Sequence, residues 1–445
     1  MSSKYIKRFI FVFFIISVFV TGCSIGRNPI ESGKAVTMYI ASDVHYLADS
    51  INDKGTAFQN FWTSGDGRML NYADEIIDAF RNDIKNNKPD VLIISGDLTT
   101  NGEKQSHLAL AKKLEKIEKN TGTRVYVIPG NHDIENTWAR GFKGEERYKT
   151  PTISASEFKK IYKDFGFREA ISKDKYSLSY LAAPSKDVWL LMLDTCEYHL
   201  NKKAGSPVTN GEISENTLNW IRKCSKMAKK HNTRIVTVMH HNLFNHNTRI
   251  NYGFTLDNSE KAEQVFRECN LNLVFSGHIH IQDIKYNGED NDRIYEITTS
   301  SLLMYPIQYG VLRYSSLTGF DYSTSQVNVD SWARDTGISD SNLTDFMSYS
   351  RLFLADNTYK KAYTALSKTE LYTEEEMEAM AETLSLLNVN YFRGTTNNIK
   401  DSVMNSIGYK LWMKAGEIES LENLRAYILS MIPHDDMDNN KLHIN

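Results

Sequence analysis

From Val36 onward the chain alternates short apolar runs with amphipathic stretches. Residues 36–42 (VTMYIAS) predict a buried strand that ends at Asp43. Residues 70–86 place Ile76, Ile77, Phe80 and Ile84 at helical spacing, and Pro89 stops that helix. Residues 90–95 (DVLIIS) are almost wholly apolar, as expected of a strand in a sheet covered on both faces. The theme repeats with a helix at 108–118 and strands at 124–128, 188–193, 234–239 and 271–275. Helices at 214–231 and 259–269 fall between the later strands. After His280 the pattern changes to short antiparallel strands at 281–287, 293–299 and 308–314, with an Asn287-Gly288 turn. Beyond about residue 330 strand signals fade. Residues 343–367 and 373–390 have helical periodicity, and Thr373 with Glu376 has capping-box spacing.

Composition narrows the class. The 445 residues are 41% hydrophobic and 24% charged, an ordinary globular balance with room for two or three domains. Lys and Arg number 52 against 55 Asp and Glu, a net charge of −3. Proteins that grip duplex nucleic acid through phosphates are usually basic, so no duplex binding is expected. Four cysteines cannot make a dense disulfide framework, and Cys196, Cys224 and Cys269 read as inert thiols.

The first residues read as an address. Lys4, Lys7 and Arg8 precede an apolar stretch at 9–20. That stretch is too short for a membrane-spanning helix, which needs about 20 residues, and it fits an export signal. Val20-Thr21-Gly22-Cys23-Ser24 resembles a bacterial lipobox. The resemblance implies cleavage before Cys23, lipidation of its thiol, and an anchored lipoprotein on the extracytoplasmic face of a bacterial membrane. Loss of residues 1–22 leaves 49 positive against 55 negative side chains, a net charge of −6. The expected organisation is a signal peptide at 1–22, a tether at 23–35, a catalytic domain at 36–329, a helical domain at 330–435 and a tail at 436–445.

Polar residues gather at the predicted strand ends: Asp43-Val44-His45, Gly96-Asp97, Gly130-Asn131-His132-Asp133, His240-His241 and Gly277-His278-Ile279-His280. Six of the twelve histidines fall in these five segments, more than background usage explains. Open α/β sheets bind ligands beyond the carboxyl ends of their strands. Two cations side by side need a bridging carboxylate and neutral donors. Asp97 can bridge; Asp43, His45 and His280 would complete one site, and Asn131, His240 and His278 the other. This mixed nitrogen and oxygen set suits Fe, Mn or Zn better than Mg or Ca. Strand alternation would turn both side chains of Asp43-x-His45, and of His278-x-His280, to one face. The neighbouring glycines would permit tight turns. Trp62 and Asp66, in Trp-Thr-Ser-Gly-Asp-Gly, read as a plain loop, with a rim over the site as the other reading.

The ordered set DxH, GD, GNH, H, GHxH resembles the calcineurin-like metallophosphoesterases, over roughly residues 36–300. The resemblance implies an α/β fold, a four-layer αββα sandwich with an added C-terminal helical domain, and a centre of two divalent or trivalent metal ions. It also implies in-line attack on phosphorus by a metal-bridging hydroxide. His240 is then the single-histidine ligand, and His241 either backs the ligands or contacts substrate. His132, with Asn131, would steady the phosphate or donate a proton to the leaving group, and Asp133 would orient His132. Thr100 stands where the purple acid phosphatases have Tyr. Thr100-Asn101-Gly102 departs from the Asp-Arg-Gly of protein Ser/Thr phosphatases, which argues against phosphoprotein substrates. GDLTTNGE, the DVH start and the helical extension look most like bacterial class III cyclic-nucleotide phosphodiesterases. The expected substrate is therefore a small phosphate ester, with cyclic nucleotides first. The competing readings are a phosphomonoesterase or nucleotidase on the same centre, and a metal-binding lipoprotein without catalysis. The helical domain could cap the site, pair subunits or present the enzyme; the sequence chooses neither among these nor an oligomeric state.

Overall fold

The computed structural model describes residues 27–289, 292–433 and 435–445. The expected export signal, lipobox and Cys23 lie outside the described residues. Two sheets form the centre. The first has six strands in the order Lys441–Ile444, Gly319–Gln326, Gln308–Ser315, Val36–Ala41, Val91–Ile94, Arg124–Val127. Its last three strands run parallel, with Met38 beside Val91 and Val91 beside Arg124. The second has seven strands in the order Asp283–Asn287, Ile294–Thr298, Leu273–Ser276, Arg234–Val238, Val188–Met192, Tyr180–Ala182, Ser172–Lys173. Four of these are parallel, from Ile294–Thr298 to Val188–Met192.

Side-chain alternation in the second sheet separates two cores. Leu190, Met192, Val236, Val238, Leu273 and Phe275 join the core shared with the first sheet. Trp189, Leu191, Leu193, Ile235 and Val274 point the other way, onto Leu218 and Ile221 of helix Glu215–Lys230 and Val265 and Phe266 of helix Ser259–Glu268. Both faces are covered, which is why these strands read as continuous apolar runs. Truncating a fully buried side chain such as Phe275 to Ala would cost about 3–5 kcal/mol. On the first sheet, Ile76, Ile77, Phe80 and Ile84 of helix Ala73–Asn87 enter the shared core with Leu110, Leu114 and Ile117 of helix Lys104–Thr121. This is the expected sandwich of helix, sheet, sheet and helix.

The helical region runs from Val329–Asp335 to Glu419–Ser430 and has its own core around Trp412, Met380, Leu384 and Leu421. The Thr373 capping box forms: Thr373 Oγ1 accepts from Glu376 N, and Glu376 Oε2 accepts from Thr373 N. The helix expected at 343–367 is two helices, Ser341–Thr344 and Phe346–Ser367. Asp340 accepts from Asn342 N and Leu343 N, and Asp330 from Phe346 N, so each piece has its own carboxylate cap. The segment expected to be a tail carries a strand, Lys441–Ile444, paired antiparallel to Gly319–Gln326. Among the described residues no helix is long and apolar enough to cross a membrane.

The helical region is packed onto the catalytic unit. Trp62, expected in a loop, ends helix Thr56–Thr63 and stacks on Phe353. Lys361 Nζ donates to Gly65 O, and Asn247 Nδ2 to Tyr391 Oη and Ser430 Oγ.

Candidate metal centre

The carboxyl ends of five strands, three in the first sheet and two in the second, bring together all seven expected ligands. Val36–Ala41 leads to Asp43 and His45, Val91–Ile94 to Asp97, and Arg124–Val127 to Asn131. Arg234–Val238 leads to His240, and Leu273–Ser276 to His278 and His280. Strand alternation is not what aims them. Asp43, His45, Asp97, His278 and His280 have φ of 50°, 40°, 46°, 70° and 63°, in the left-handed region. Each left-handed non-glycine residue costs on the order of 1–3 kcal/mol, and five of them lie around one point. Two glycines are needed for space. A Cβ on Gly130 would lie 2.2 Å from Asp97 Oδ1, and one on Gly277 would lie 1.8 Å from Ser42 Oγ.

The ligands sort into two groups that share Asp97: Asp43, His45, Asp97 and His280, and Asp97, His240 and His278. In each, one donor atom per residue lies within 4.8 Å of the others. His45 Nε2 is 3.0 Å from His280 Nε2 and 3.6 Å from Asp97 Oδ2. His280 Nε2 is 3.3 Å from Asp43 Oδ1. His240 Nε2 is 3.5 Å from Asp97 Oδ2 and 3.1 Å from Asn131 Oδ1, which brings Asn131 into the second group. Backbone carbonyls set the rings. His240 Nδ1 donates to Ser95 O, leaving Nε2 for the centre. His278 Nε2 donates to Gly253 O, leaving Nδ1. Such outer contacts fix tautomer and direction in metal sites.

Electrostatics point to cations here. Asp43 Oδ1 is buried with no hydrogen-bond partner, a costly state for a carboxylate oxygen unless positive charge sits beside it. Burial opposes the charge on Asp97, yet His240 and His132 hold its carboxyl well below the usual range. Burial likewise opposes protonation of His240, but Asp97 and Asp43 raise its pKa to about 9. Burial and the Arg68 cation push His45 well below its ordinary value. Burial and His240 take His278 to about 4. Two carboxylates, neutral imidazoles and an amide fit a pair of transition-metal ions; the donor set does not select among Fe, Mn and Zn.

The centre opens on one side. Asp43, Asp97 and His240 are buried, whereas the His132 side chain is 21% exposed and that of His280 15%. His132 Nε2 lies 4.0 Å from Asp97 Oδ2. Its Nδ1 is 2.7 Å from Thr100 O and 3.2 Å from Asn101 Oδ1.

Two expected roles are corrected. Asp133 does not orient His132. Its carboxylate turns inward and accepts from Leu98 N, Thr99 N, Thr99 Oγ1 and Gly130 N, tying the Asp97 and Asn131 loops together. His241 does not face substrate. It is buried, Nδ1 is 2.7 Å from Thr195 Oγ1, and Nε2 is 2.9 Å from Thr209 O. Arg68 was not anticipated. It comes from the turn after Trp62, donates to Asp66 Oδ1 at 2.8 Å, and its charge is felt at His45, His132 and His280. Its only sequence signal is its place in Gly65-Asp66-Gly67-Arg68.

Fold and site together give a candidate two-metal centre at the strand ends of a double-sheet sandwich. The chain belongs to the calcineurin-like phosphoesterase family, whose model matches residues 36–282. Residues 328–438 match the C-terminal domain of cyclic nucleotide phosphodiesterase. No curated protein matches the chain. Among solved structures it is similar to a dimetal phosphatase from Danio rerio, at 12% identity and TM-score 0.45, over 67% of this chain and 96% of that one. It is also similar to GAP50, the anchor in the inner membrane complex of Plasmodium, at 14% identity and TM-score 0.35, over 66% of this chain and 85% of that one.

Proposed function

We propose that this phosphoesterase hydrolyses phosphodiesters, with cyclic nucleotides as the substrate class. The observation that carries the reading is the pairing, in one chain, of the catalytic family with the C-terminal domain found in cyclic nucleotide phosphodiesterase. Asp43, His45, Asp97 and His280 would hold one ion, and Asp97, Asn131, His240 and His278 the other. Bound there, the pair would supply a water nucleophile at neutral pH and neutralise phosphate charge. The chain's own contribution lies on the open side. His132 turns Nε2 to the opening while its Nδ1–H donates to the Thr100 carbonyl, so Nε2 would give a proton to the leaving oxygen only from the imidazolium, a form that burial opposes and Asp97 favours. Arg68 adds a cation toward the same opening.

The lipobox reading of Cys23 supports an anchored enzyme outside the cytoplasm. An exported enzyme would not meet an intracellular 3′,5′-cyclic messenger. That favours 2′,3′-cyclic nucleotides from RNA breakdown, or other external diesters. The test is a panel on residues 24–445 with Mn²⁺: bis-p-nitrophenyl phosphate, p-nitrophenyl phosphate, and 2′,3′- and 3′,5′-cyclic nucleotides. Diester turnover well above monoester turnover is expected. A monoester preference would make the protein a phosphomonoesterase. No turnover with both metals bound would make the centre non-catalytic.

A further inference from the structure

A second cavity adjoins the open side of the metal centre. It has a volume of about 250 Å³ and is lined by Phe61, Thr100, Asn101, Glu103, Trp138, Arg140, Phe142 and Arg147. Thr100 and Asn101 are also the residues that hold His132 Nδ1, so the cavity begins one residue from the imidazole. Its walls are aromatic. Phe61 and Phe142 lie 5.1 Å apart with planes tilted by 32°, and the Arg147 guanidinium lies over the Phe61 ring, 5.4 Å from its centre, covering that face. Trp138 stands at the rim, 52% exposed. Its position is tied to His132: Asn136 Oδ1 accepts from Trp138 N at 2.8 Å, and Asn136 Nδ2 donates to His132 O at 3.0 Å.

Glu103 lies behind the wall, 1% exposed. Oε2 accepts from Asn101 N at 3.1 Å and fixes the segment that holds His132. The polar contribution comes from the arginines. Arg140 holds its guanidinium at the wall by donating from Nη1 to Thr137 O and Ala139 O.

We infer that this cavity is the subsite for the nucleobase of the substrate, stacked on Trp138, with the Arg140 and Arg147 guanidiniums facing acceptors on the base edge. The inference rests on the phosphodiesterase reading, because it places a nucleoside beside the phosphate centre. The volume is below the roughly 300–1,000 Å³ of pockets for drug-sized ligands, so it takes one ring system and no more. A plain phenyl or alkyl group would fill the walls but give the arginines no acceptor. A base edge carries ring and carbonyl acceptors that answer them.

The experiment is calorimetric titration of residues 24–445 with adenosine, cytidine, guanosine and uridine, alongside bis-p-nitrophenyl phosphate turnover by the same wild-type protein. At least one nucleoside is expected to bind at one site. Trp138→Ala should weaken that binding at least fivefold, Trp138→Phe should restore most of it, and Arg147→Met should weaken it as well. Trp138 is a rim residue, so its variants keep the test open should Arg147→Met fold poorly. Wild-type protein that turns over the diester but binds no nucleoside would overturn the subsite and leave the phosphodiesterase reading standing. Nucleoside binding without diester turnover would do the reverse. Undiminished binding by Trp138→Ala would also overturn the subsite.

Discussion

Trp62 lies flat on Phe353, with ring centres 5.1 Å apart and planes 4° from parallel. The stack joins the catalytic unit to helix Phe346–Ser367. The same indole donates through Nε1 to Arg68 O at 2.9 Å. The helical region therefore buttresses the turn that carries Arg68, whose charge is felt at His45, His132 and His280. Trp62→Ala should lose about 1 kcal/mol of aromatic pairing beyond its buried area and loosen Arg68. Thermal unfolding should move down by a few degrees, and kcat/KM for a diester should fall severalfold. Trp62→Phe keeps a ring on Phe353 but not the hydrogen bond, so its activity should fall between the two.

Arg68 itself should matter more. A hydrogen bond to a charged group is worth about 1.5–3 kcal/mol, so Arg68→Ala should raise KM for an anionic ester roughly tenfold or more. Arg68→Lys keeps the charge but not the planar fork and should recover only part. Steady-state kinetics on the two variants checks this; an unchanged KM in both would remove Arg68 from the site.

Metal removal has a stability signature that needs no substrate. Asp43 and the shared Asp97 place two buried carboxylates at the centre of the fold. Metal-free protein should gain about 2.7 kcal/mol on addition of Mn²⁺ or Zn²⁺ at a hundred times its Kd, read as a rise in melting temperature. Asp97→Ala should abolish the rise. Asn131→Ala should reduce the bound metal from two equivalents toward one, measured by elemental analysis, and lose most activity.

The candidate ligands were legible because metal chemistry admits few side chains, and the strands because VLII and VWLLM leave no polar face. What failed was what side-chain identity does not encode. Ser95 O, Gly253 O and Thr100 O aim three rings at the centre, yet any residue carries a carbonyl. Asp133 follows His132 in sequence and reads as its partner, but the turn sends its carboxylate to the N–H groups of Leu98, Thr99 and Gly130. The hairpin of Arg140–Lys143 and Glu146–Lys149 is nearly all polar, so no alternation marked it, although it supplies Arg140, Phe142 and Arg147 to the second cavity. The Lys441–Ile444 strand is too short to show a period, and pairing with Gly319–Gln326 defines it.

The loop after His241 is pinned by a buried charge cluster whose pH dependence can be worked out. His246 Nδ1 lies 2.7 Å from Asp283 Oδ2 and its Nε2 lies 3.0 Å from Glu296 Oε2. Glu296 also accepts from Leu243 N, Phe244 N and Ser276 Oγ. Burial opposes the charge on His246, but Glu296 and Asp283 raise its pKa to about 9. The unfolded value is about 6.5. A group whose pKa is raised by folding contributes fully below its unfolded pKa, and the contribution disappears as pH rises through the folded value. Stability should thus decline between about pH 6.5 and 9 in wild-type protein, and this part of the decline should be missing in His246→Ala. That variant leaves Glu296 buried without its cation and should lose about 3–5 kcal/mol at pH 6. Denaturant unfolding of both proteins at pH 6 and pH 9 is the measurement, and the gap between them should narrow at the higher pH. The same loop carries Gly253, whose carbonyl holds His278. Metal affinity at the second group should therefore fall with the stability of His246→Ala, even though residue 246 touches none of the seven ligands.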